Sequence, residues 1–140
     1  MNILVIDGQG GQLGGQIIKL LQGSFAELDI IAVGTNATAT ATMLKAGAKQ
    51  AATGENSVIV ACRKADIIIG PVGIVVADAM LGEVTVQMAV AVGQADAVRI
   101  LLPVNKCDTI IAGVSELSVT NALQDMLVKV KMVMEKRKLC

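Results

Sequence analysis

The chain has 140 residues, of which 54% are apolar and one is aromatic, and its formal net charge is zero. This length suits a single domain, residues 1–140, with a sizeable core. The chain has no histidine, tyrosine or tryptophan, so it lacks the commonest metal ligand and general base, and its composition argues against nucleic-acid binding.

The mean hydropathy of +0.66 is high for a soluble chain. No apolar run reaches the roughly 18 residues that span a bilayer, so we expect a parallel sheet buried on both faces rather than a membrane protein. Apolar surface left over on a small domain would also suit a homo-oligomer. The N-terminus lacks a basic region, and Cys62, Cys107 and Cys140 form no C-x-x-C pair. These features predict a cytoplasmic protein without a signal peptide, disulfide framework or zinc site.

In chain order, strand and helix patterns alternate from the first residues to the last. Apolar runs predict six strands, at residues 2–6, 28–33, 48–53, 66–69, 98–102 and 109–114. Apolar spacing and capping residues predict helices at about residues 11–21, 36–44, 54–65, 74–81 and 85–92. A last helix carries Val119, Leu123, Met126, Val130 and Val133 on one face.

The second helix is ambiguous by pattern alone. Residues 37–42 alternate alanine with threonine as a strand would, but a parallel sheet needs a crossover here, which favours a helix capped by Asn36. The alternation of elements therefore predicts an α/β fold, with a Rossmann-like, doubly wound and mostly parallel sheet of about six strands. In such a sheet, ligands bind beyond the carboxyl ends of the strands.

A glycine cluster follows the first strand directly. Gly8, Gly11 and Gly14 have the spacing G-x-x-G-x-x-G between an apolar strand and a helix, as when a phosphate lies against bare backbone at a helix N-terminus. The residues predicted to bind a nucleotide here are Asp7, Gly8, Gln9, Gly10, Gly11, Gln12, Leu13 and Gly14. The alternative is that the glycines serve only a tight turn and close packing. Asp7 would repel a phosphate, so we favour its capping of nearby backbone amides.

Three further strand ends carry residues suited to a ligand. Thr35 and Asn36 follow the second strand, where an acidic residue would hold the ribose of NAD. Its absence favours NADP or another phosphorylated ligand, and capping of the second helix is an equally good explanation. Gly70, Pro71 and Gly73 follow the fourth strand and would line the ligand or form a rigid turn.

The fifth strand end offers Asn105 as a ligand contact, followed by Lys106 and Cys107. Lys106 could pair with a phosphate, and Cys107 could be a reactive thiol. The alternatives are a solvated surface lysine and a buried, inert cysteine.

The glycine spacing after residues 2–6 resembles the dinucleotide-binding turn of extended and atypical short-chain dehydrogenases, and residues 66–69 resemble their fourth strand. That family's catalysis uses a Tyr–Lys pair, and this chain has no tyrosine, so the resemblance implies at most the binding half. Asp7–Gly11, Gly34–Asn36 and Ala65–Pro71 resemble, over the whole chain, a family of small bacterial proteins known only as a domain of unknown function. That resemblance implies a Rossmann-like fold and no activity.

These observations together predict a nucleotide- or dinucleotide-binding domain with a sensor or binding role, whose partner is a small phosphorylated ligand. Two alternatives stay open. One is a small NAD(P)-dependent oxidoreductase, using residues such as Lys106. The other is a non-catalytic, oligomeric structural or interaction protein in which the glycines only pack.

Overall fold

The computed structural model describes residues 1–104, 108–115 and 118–138. In this part of the chain, strands β1 to β5 span Asn2–Asp7, Asp29–Gly34, Gln50–Thr53, Ile67–Pro71 and Val98–Leu102. Helices α1 to α5 span Gln12–Ser24, Ala37–Lys45, Glu55–Cys62, Val86–Gln94 and Val119–Lys138. A short 3-10 turn, Val72–Val75, follows β4. No helix in these ranges has the length and apolar character needed to cross a membrane.

The five strands form one parallel sheet in the order β3-β2-β1-β4-β5. This order confirms the Rossmann-like, doubly wound α/β fold. β1 lies at the centre. β2 and β3 follow on one side of it, and β4 and β5 lie on the other side, so the order of strands changes direction between β1 and β4. In the register of the sheet, Asp7 lies opposite Gly34, and Gly34 lies opposite Thr53. The carboxyl ends of β1, β2 and β3 therefore meet at one edge.

Alternate residues of β1 face two separate hydrophobic cores. Ile3 and Val5 pack with residues of α1, α2 and α5, whereas Leu4 and Ile6 pack with residues of α3 and α4. Both faces of the central strands are thus covered, which explains why these strands are continuously apolar in sequence.

The predicted sixth strand is wrong. Residues 109–114 form no strand in the described part of the chain, and β5 lies at the edge of the sheet. Asp108 and Gly113 have φ values of 53° and 83°, which interrupt an extended backbone on both sides of the apolar run. The apolar pattern instead places Ile111 and Val114 beside β5, where they line a groove.

The predicted helix at 74–81 is also wrong. Beyond the short 3-10 turn, Asp78, Met80 and Leu81 have φ values of 65°, 58° and 56°, so a continuous right-handed helix is impossible. The apolar side chains of this segment are buried by packing in a loop: Met80 and Val84 are buried although their backbone is not helical. Smaller differences are that α3 ends at Cys62 and that Val119, predicted on the buried face of α5, is 44% exposed.

Candidate functional site

Asp7, the last residue of β1, fastens the glycine turn to the helix that follows. Its side chain is 3% exposed, and its Oδ1 and Oδ2 accept hydrogen bonds from the amides of Gly8 and Gly14, both at 2.8 Å. Burial raises the pKa of this carboxyl, and the two amides and the nearby Glu83 charge act on the pKa in opposite directions. Asp7 thus caps backbone amides, as the sequence analysis favoured, and both of its oxygens are engaged within the protein.

The three spaced glycines all lie against close neighbours. A Cβ on Gly8 would lie 2.4 Å from Thr35 Oγ1, and one on Gly14 would lie 2.5 Å from Met43 Sδ. Gly11 has a φ of 74°, and a Cβ there would lie 2.7 Å from the main chain of Ala39, so α1 begins against the first turn of α2. Gly10 differs, because a Cβ on it would meet nothing within 4 Å.

The central polar group of the site is Glu83, which the sequence analysis did not single out. Its Oε1 accepts three hydrogen bonds, from the Gln9 amide at 2.9 Å and from Thr35 Oγ1 and Asn36 Nδ2 at 2.7 Å each. Its Oε2 has no donor among the described residues. Partial burial raises the pKa of Glu83, but the three hydrogen bonds outweigh burial and leave the pKa below its ordinary value. Glu83 is therefore held as a carboxylate at the ends of β1 and β2.

Asn36 joins three elements through one side chain. Its Oδ1 caps α2 by accepting from the Ala39 amide at 2.9 Å, and its Nδ2 donates to the Gln9 carbonyl at 2.9 Å as well as to Glu83. The Thr35 amide donates to the Asp7 carbonyl at 3.0 Å. The predicted cap role of Asn36 is confirmed, and Thr35 and Asn36 do lie beside the glycine turn.

Residues 76–84, which we call the covering loop, bring Glu83 to this place. Met80 is 2% exposed, and its sulfur is one of the atoms that a side chain at Gly8 would meet. The loop closes on itself, since the Asp78 amide donates to the Val84 carbonyl at 2.7 Å. The available sequence signal was Gly82 shortly before Thr85, which caps α4. That pair predicts a connection, and a connection after β4 lies at the carboxyl edge of the sheet.

Several backbone amides at the start of α1 are left free by these contacts. Gly10, Gln12 and Leu13 have no acceptor for their amides within the described residues. Amides at the first turn of a helix favour an anion, because they point outward at the positive end of the helix dipole. Five of the eight residues predicted to form the phosphate turn therefore already form hydrogen bonds within the protein. The amides of the other three remain available.

The other predicted contacts divide into two groups. Gly70 is needed inside the sheet, since a Cβ there would lie 2.4 Å from the Ile6 carbonyl oxygen. Pro71 is buried and introduces the 3-10 turn that contains the buried Gly73, so the rigid-turn explanation accounts for this segment. Asn105, Lys106 and Cys107 lie outside the described residues.

Comparison with solved structures finds two distant similarities. The chain is 18% identical to a dodecameric FMN-dependent UbiX-like decarboxylase from Escherichia coli O157:H7, with a TM-score of 0.48 over 90% of this chain and 76% of that one. It is 14% identical to the plantazolicin methyltransferase BamL, with a TM-score of 0.42 over 96% of this chain and 70% of that one.

No curated protein matches the chain significantly. Residues 2–135 match the family described as Domain of unknown function (DUF3842). This match covers nearly every residue of the sheet, of its helices and of the glycine turn, and it agrees with the whole-chain resemblance drawn from the sequence. The chain belongs to the DUF3842 family.

Proposed function

We propose that this chain binds a nucleotide at the carboxyl edge of its sheet, in a sensor or binding role. The observation that carries the proposal is the convergence of Gln9, Thr35 and Asn36 on one carboxylate oxygen of Glu83. Donors from the ends of two neighbouring strands hold this carboxylate in place, where its other oxygen can accept a hydrogen bond from a ligand hydroxyl. The free amides of Gly10, Gln12 and Leu13 provide a second anion-binding element nearby.

In this arrangement the phosphates of the nucleotide lie against the first turn of α1. Backbone amides suffice to hold them, because a helix N-terminus is favourable for negative charge. The open space over Gly10 admits the ligand, whereas Gly8, Gly11 and Gly14 are covered by the protein itself. The covering loop lies over Gly8 and leaves the start of α1 accessible.

The position of Glu83 argues for a ribose that carries free hydroxyls. A carboxylate at the end of the second strand accepts hydrogen bonds from ribose hydroxyls and repels a 2′-phosphate. Glu83 supplies this carboxylate from a distant part of the chain, and no donor in the described ranges occupies its Oε2. We therefore favour NAD, or a nucleoside phosphate, over the NADP that the sequence alone favoured.

The first test is a comparison of ligands on the purified chain. Thermal unfolding is followed with NAD, NADP, ATP and FMN, and calorimetric titration follows each positive result. A ligand that binds the native state stabilises it by mass action and so raises the melting temperature. At a ligand concentration of a hundred times Kd, the gain in unfolding free energy is about 2.7 kcal/mol. We expect stabilisation by a nucleotide with an unmodified ribose. Failure of every nucleotide to raise the melting temperature would overturn the proposal.

The second test separates binding from folding. Gly10→Ala places a methyl group in the open space over the turn, and we expect nucleotide affinity to fall about tenfold without loss of stability. Gly23→Ala is the matched control, because a Cβ on Gly23 also meets nothing within 4 Å but lies at the far end of α1. Equal affinity of both variants would place the nucleotide elsewhere.

A second function is supported by a specific observation, the tight packing around Gly8, Gly11 and Gly14. If these glycines serve only the fold, the chain is a structural or interaction protein without a nucleotide. Lack of stabilisation by any nucleotide, together with robust self-association, would favour this second function.

A further inference from the structure

A second groove of the molecule lies between α1 and α2 and has a volume of about 360 Å³. The smallest residues that line it are Gly15 and Ala46. A Cβ on Gly15 would lie 3.6 Å from the Ala46 Cβ, so the two helices approach each other closely at this point. Because these residues are small, the longer side chains around them determine what the groove can bind.

The longer side chains in this groove carry positive charge and hydrogen-bond donors. They are Gln12, Gln16 and Lys19 from α1, and Thr42 and Lys45 from α2. The three residues of α1 are spaced by four and three positions and therefore share one face of the helix. No aspartate or glutamate is among the described residues that line the groove. A cleft that carries charge of one sign attracts a ligand of the opposite sign, so this groove favours an anion.

Neither lysine has a charged partner within residues 1–104, 108–115 and 118–138, and both are exposed. Lys45 lies in the last turn of α2, where the helix dipole also favours a cation. Lys19 lies in the middle of α1, where the dipole gives no such reason. Two like charges beside one groove repel each other, and a bound anion would remove this repulsion.

The groove is continuous with the start of α1, where the phosphates of the proposed nucleotide lie. Gln12 lines the groove, and its backbone amide is one of those without an acceptor in the described part of the chain. Lys19 is seven residues further along α1, which corresponds to about 10 Å along the helix axis. Long side chains on a helix lean toward its N-terminus, and this brings the ammonium group of Lys19 closer to Gln12.

We propose that the groove between α1 and α2 holds a phosphate chain, which extends from the first turn of α1 to Lys19 and Lys45. Of the two ligand classes that Glu83 favours, this selects a nucleoside di- or triphosphate. In a dinucleotide such as NAD, both phosphates are flanked by ribose, so no terminal phosphate is left for the groove. This ligand class rests on the proposed nucleotide site, with which the groove shares only Gln12 among the residues named here.

The experiment titrates AMP, ATP and inorganic tripolyphosphate into the full chain by calorimetry, without divalent cations and at low and high salt. We expect ATP to bind about tenfold more tightly than AMP at low salt, since charge-assisted hydrogen bonds to the additional phosphates contribute affinity of at least this size. High salt should reduce this preference, because both lysines are exposed. Lys19→Gln and Lys45→Gln should each weaken ATP binding about tenfold and leave AMP binding unchanged.

Two further variants distinguish a binding role from a structural one. Lys64→Gln is the matched control, because it removes the same charge from an exposed lysine beyond α3, outside the groove. Gln16→Glu keeps the size of the side chain but sets a carboxylate three residues before Lys19 on the same helix face. We expect Gln16→Glu to be at least as stable to unfolding as the unmodified chain, through an ion pair with Lys19, and yet to bind ATP more weakly.

The outcomes separate the groove from the nucleotide site. If AMP binds and ATP binds no more tightly, or if ATP affinity is unchanged in both lysine variants, the groove holds no phosphate chain, and the nucleotide site is unaffected. If tripolyphosphate binds as tightly as ATP, and both need Lys19, the phosphate chain is confirmed and recognition of the nucleoside is overturned. If neither ATP nor tripolyphosphate binds, the phosphate chain is overturned.

Discussion

At the scale of single residues, two carboxylates at the carboxyl edge of the sheet have pKa values shifted in opposite directions. Asp7 is buried, and desolvation raises its pKa even though two amides donate to it. Glu83 is half-buried and receives three hydrogen bonds, so its pKa is lowered despite burial. The carboxylate of Asp7 thus serves to hold backbone amides in place, whereas the carboxylate of Glu83 is charged and has one oxygen without a donor among the described residues.

The lowered pKa of Glu83 predicts a pH-dependent contribution to stability. This contribution is fully present above the ordinary glutamate pKa of about 4.3 and is lost as pH falls through the lowered pKa of the folded state. We expect the difference in unfolding free energy between the unmodified chain and Glu83→Gln to shrink on acidification. Asp7 acts in the opposite direction, because a raised pKa costs stability at neutral pH. Denaturant unfolding at several pH values measures both, and a difference independent of pH would contradict the assignment.

We also expect Glu83→Gln to change the preference of the chain for NAD over NADP. The amide retains an acceptor for Gln9, Thr35 and Asn36, so the fold persists, but the group no longer repels a 2′-phosphate. We expect the ratio of NAD to NADP affinity to fall about tenfold, which is about 1.4 kcal/mol. Calorimetric titration of both ligands provides the measurement. Glu55→Gln serves as a control, since Glu55 accepts a hydrogen bond from Thr85, and an unchanged ratio in Glu83→Gln would argue against ribose contact.

Gly11 and Gly10 are adjacent, yet substitution should affect them differently. Gly11→Ala combines a left-handed backbone with a contact to the Ala39 main chain, and strain of this kind costs about 1–3 kcal/mol. Gly10→Ala meets nothing and should change the unfolding free energy by less than about 0.5 kcal/mol. Denaturant unfolding of both variants tests this, and equal losses would contradict the described turn. Gly11 variants are therefore unsuitable for isolating an effect on binding.

At the scale of elements, the start of α2 connects this helix to the carboxyl edge of the sheet. Asn36 caps this helix and also bonds to Gln9 and Glu83. Thr85 caps α4 by accepting from the Met88 amide at 3.1 Å, and it also donates to Glu55. Both helices thus start at residues that hold a second segment in place.

Substitution of these two caps should have unequal effects. Loss of an N-cap side chain costs about 0.5–2 kcal/mol, and Asn36→Ala should lie near the upper end because it also removes two further hydrogen bonds. Thr85→Ala should lose about 1 kcal/mol. Asn36→Asp keeps the cap acceptor but sets a second carboxylate beside Glu83, so it should destabilise the fold at neutral pH. Chemical unfolding of the three variants distinguishes these effects, and a fully stable Asn36→Asp would contradict the Asn36–Glu83 contact.

At the scale of the whole molecule, α5 closes the core on one face of the sheet and also lines the groove beside β5. Met126 is 2% exposed and belongs to the core that contains Ile3 and Val5. Met126→Ala should lower the unfolding free energy by about 2–5 kcal/mol, because it leaves a cavity. Met132→Ala should change the stability by less than about 0.5 kcal/mol, because Met132 is 44% exposed. A small effect at Met126 would show that α5 is not docked on the sheet.

The sequence by itself determined the parallel sheet, its helices and the position of the glycine turn. Those features follow from local periodicity, glycine and capping residues, which is why β1, β2 and β5 and the cap at Asn36 were predicted. The same local rules misassigned residues 74–81 and 109–114. In these two segments apolar side chains pack through loop contacts, and their spacing along the sequence does not reveal the backbone conformation.

Only the tertiary structure decided which groups meet at the carboxyl edge of the sheet. Glu83 lies 48 residues from Thr35 in sequence, and its contact depends on β1, β2 and β4 ending at the same edge of the sheet. Likewise, the need for glycine at position 8 comes from Thr35 and Met80 rather than from the turn alone. Local sequence specifies backbone conformation, whereas the neighbours of a side chain are set by long-range packing. For this reason the carboxylate beside Thr35 and Asn36, on which the proposed ribose site depends, comes from a residue in another loop.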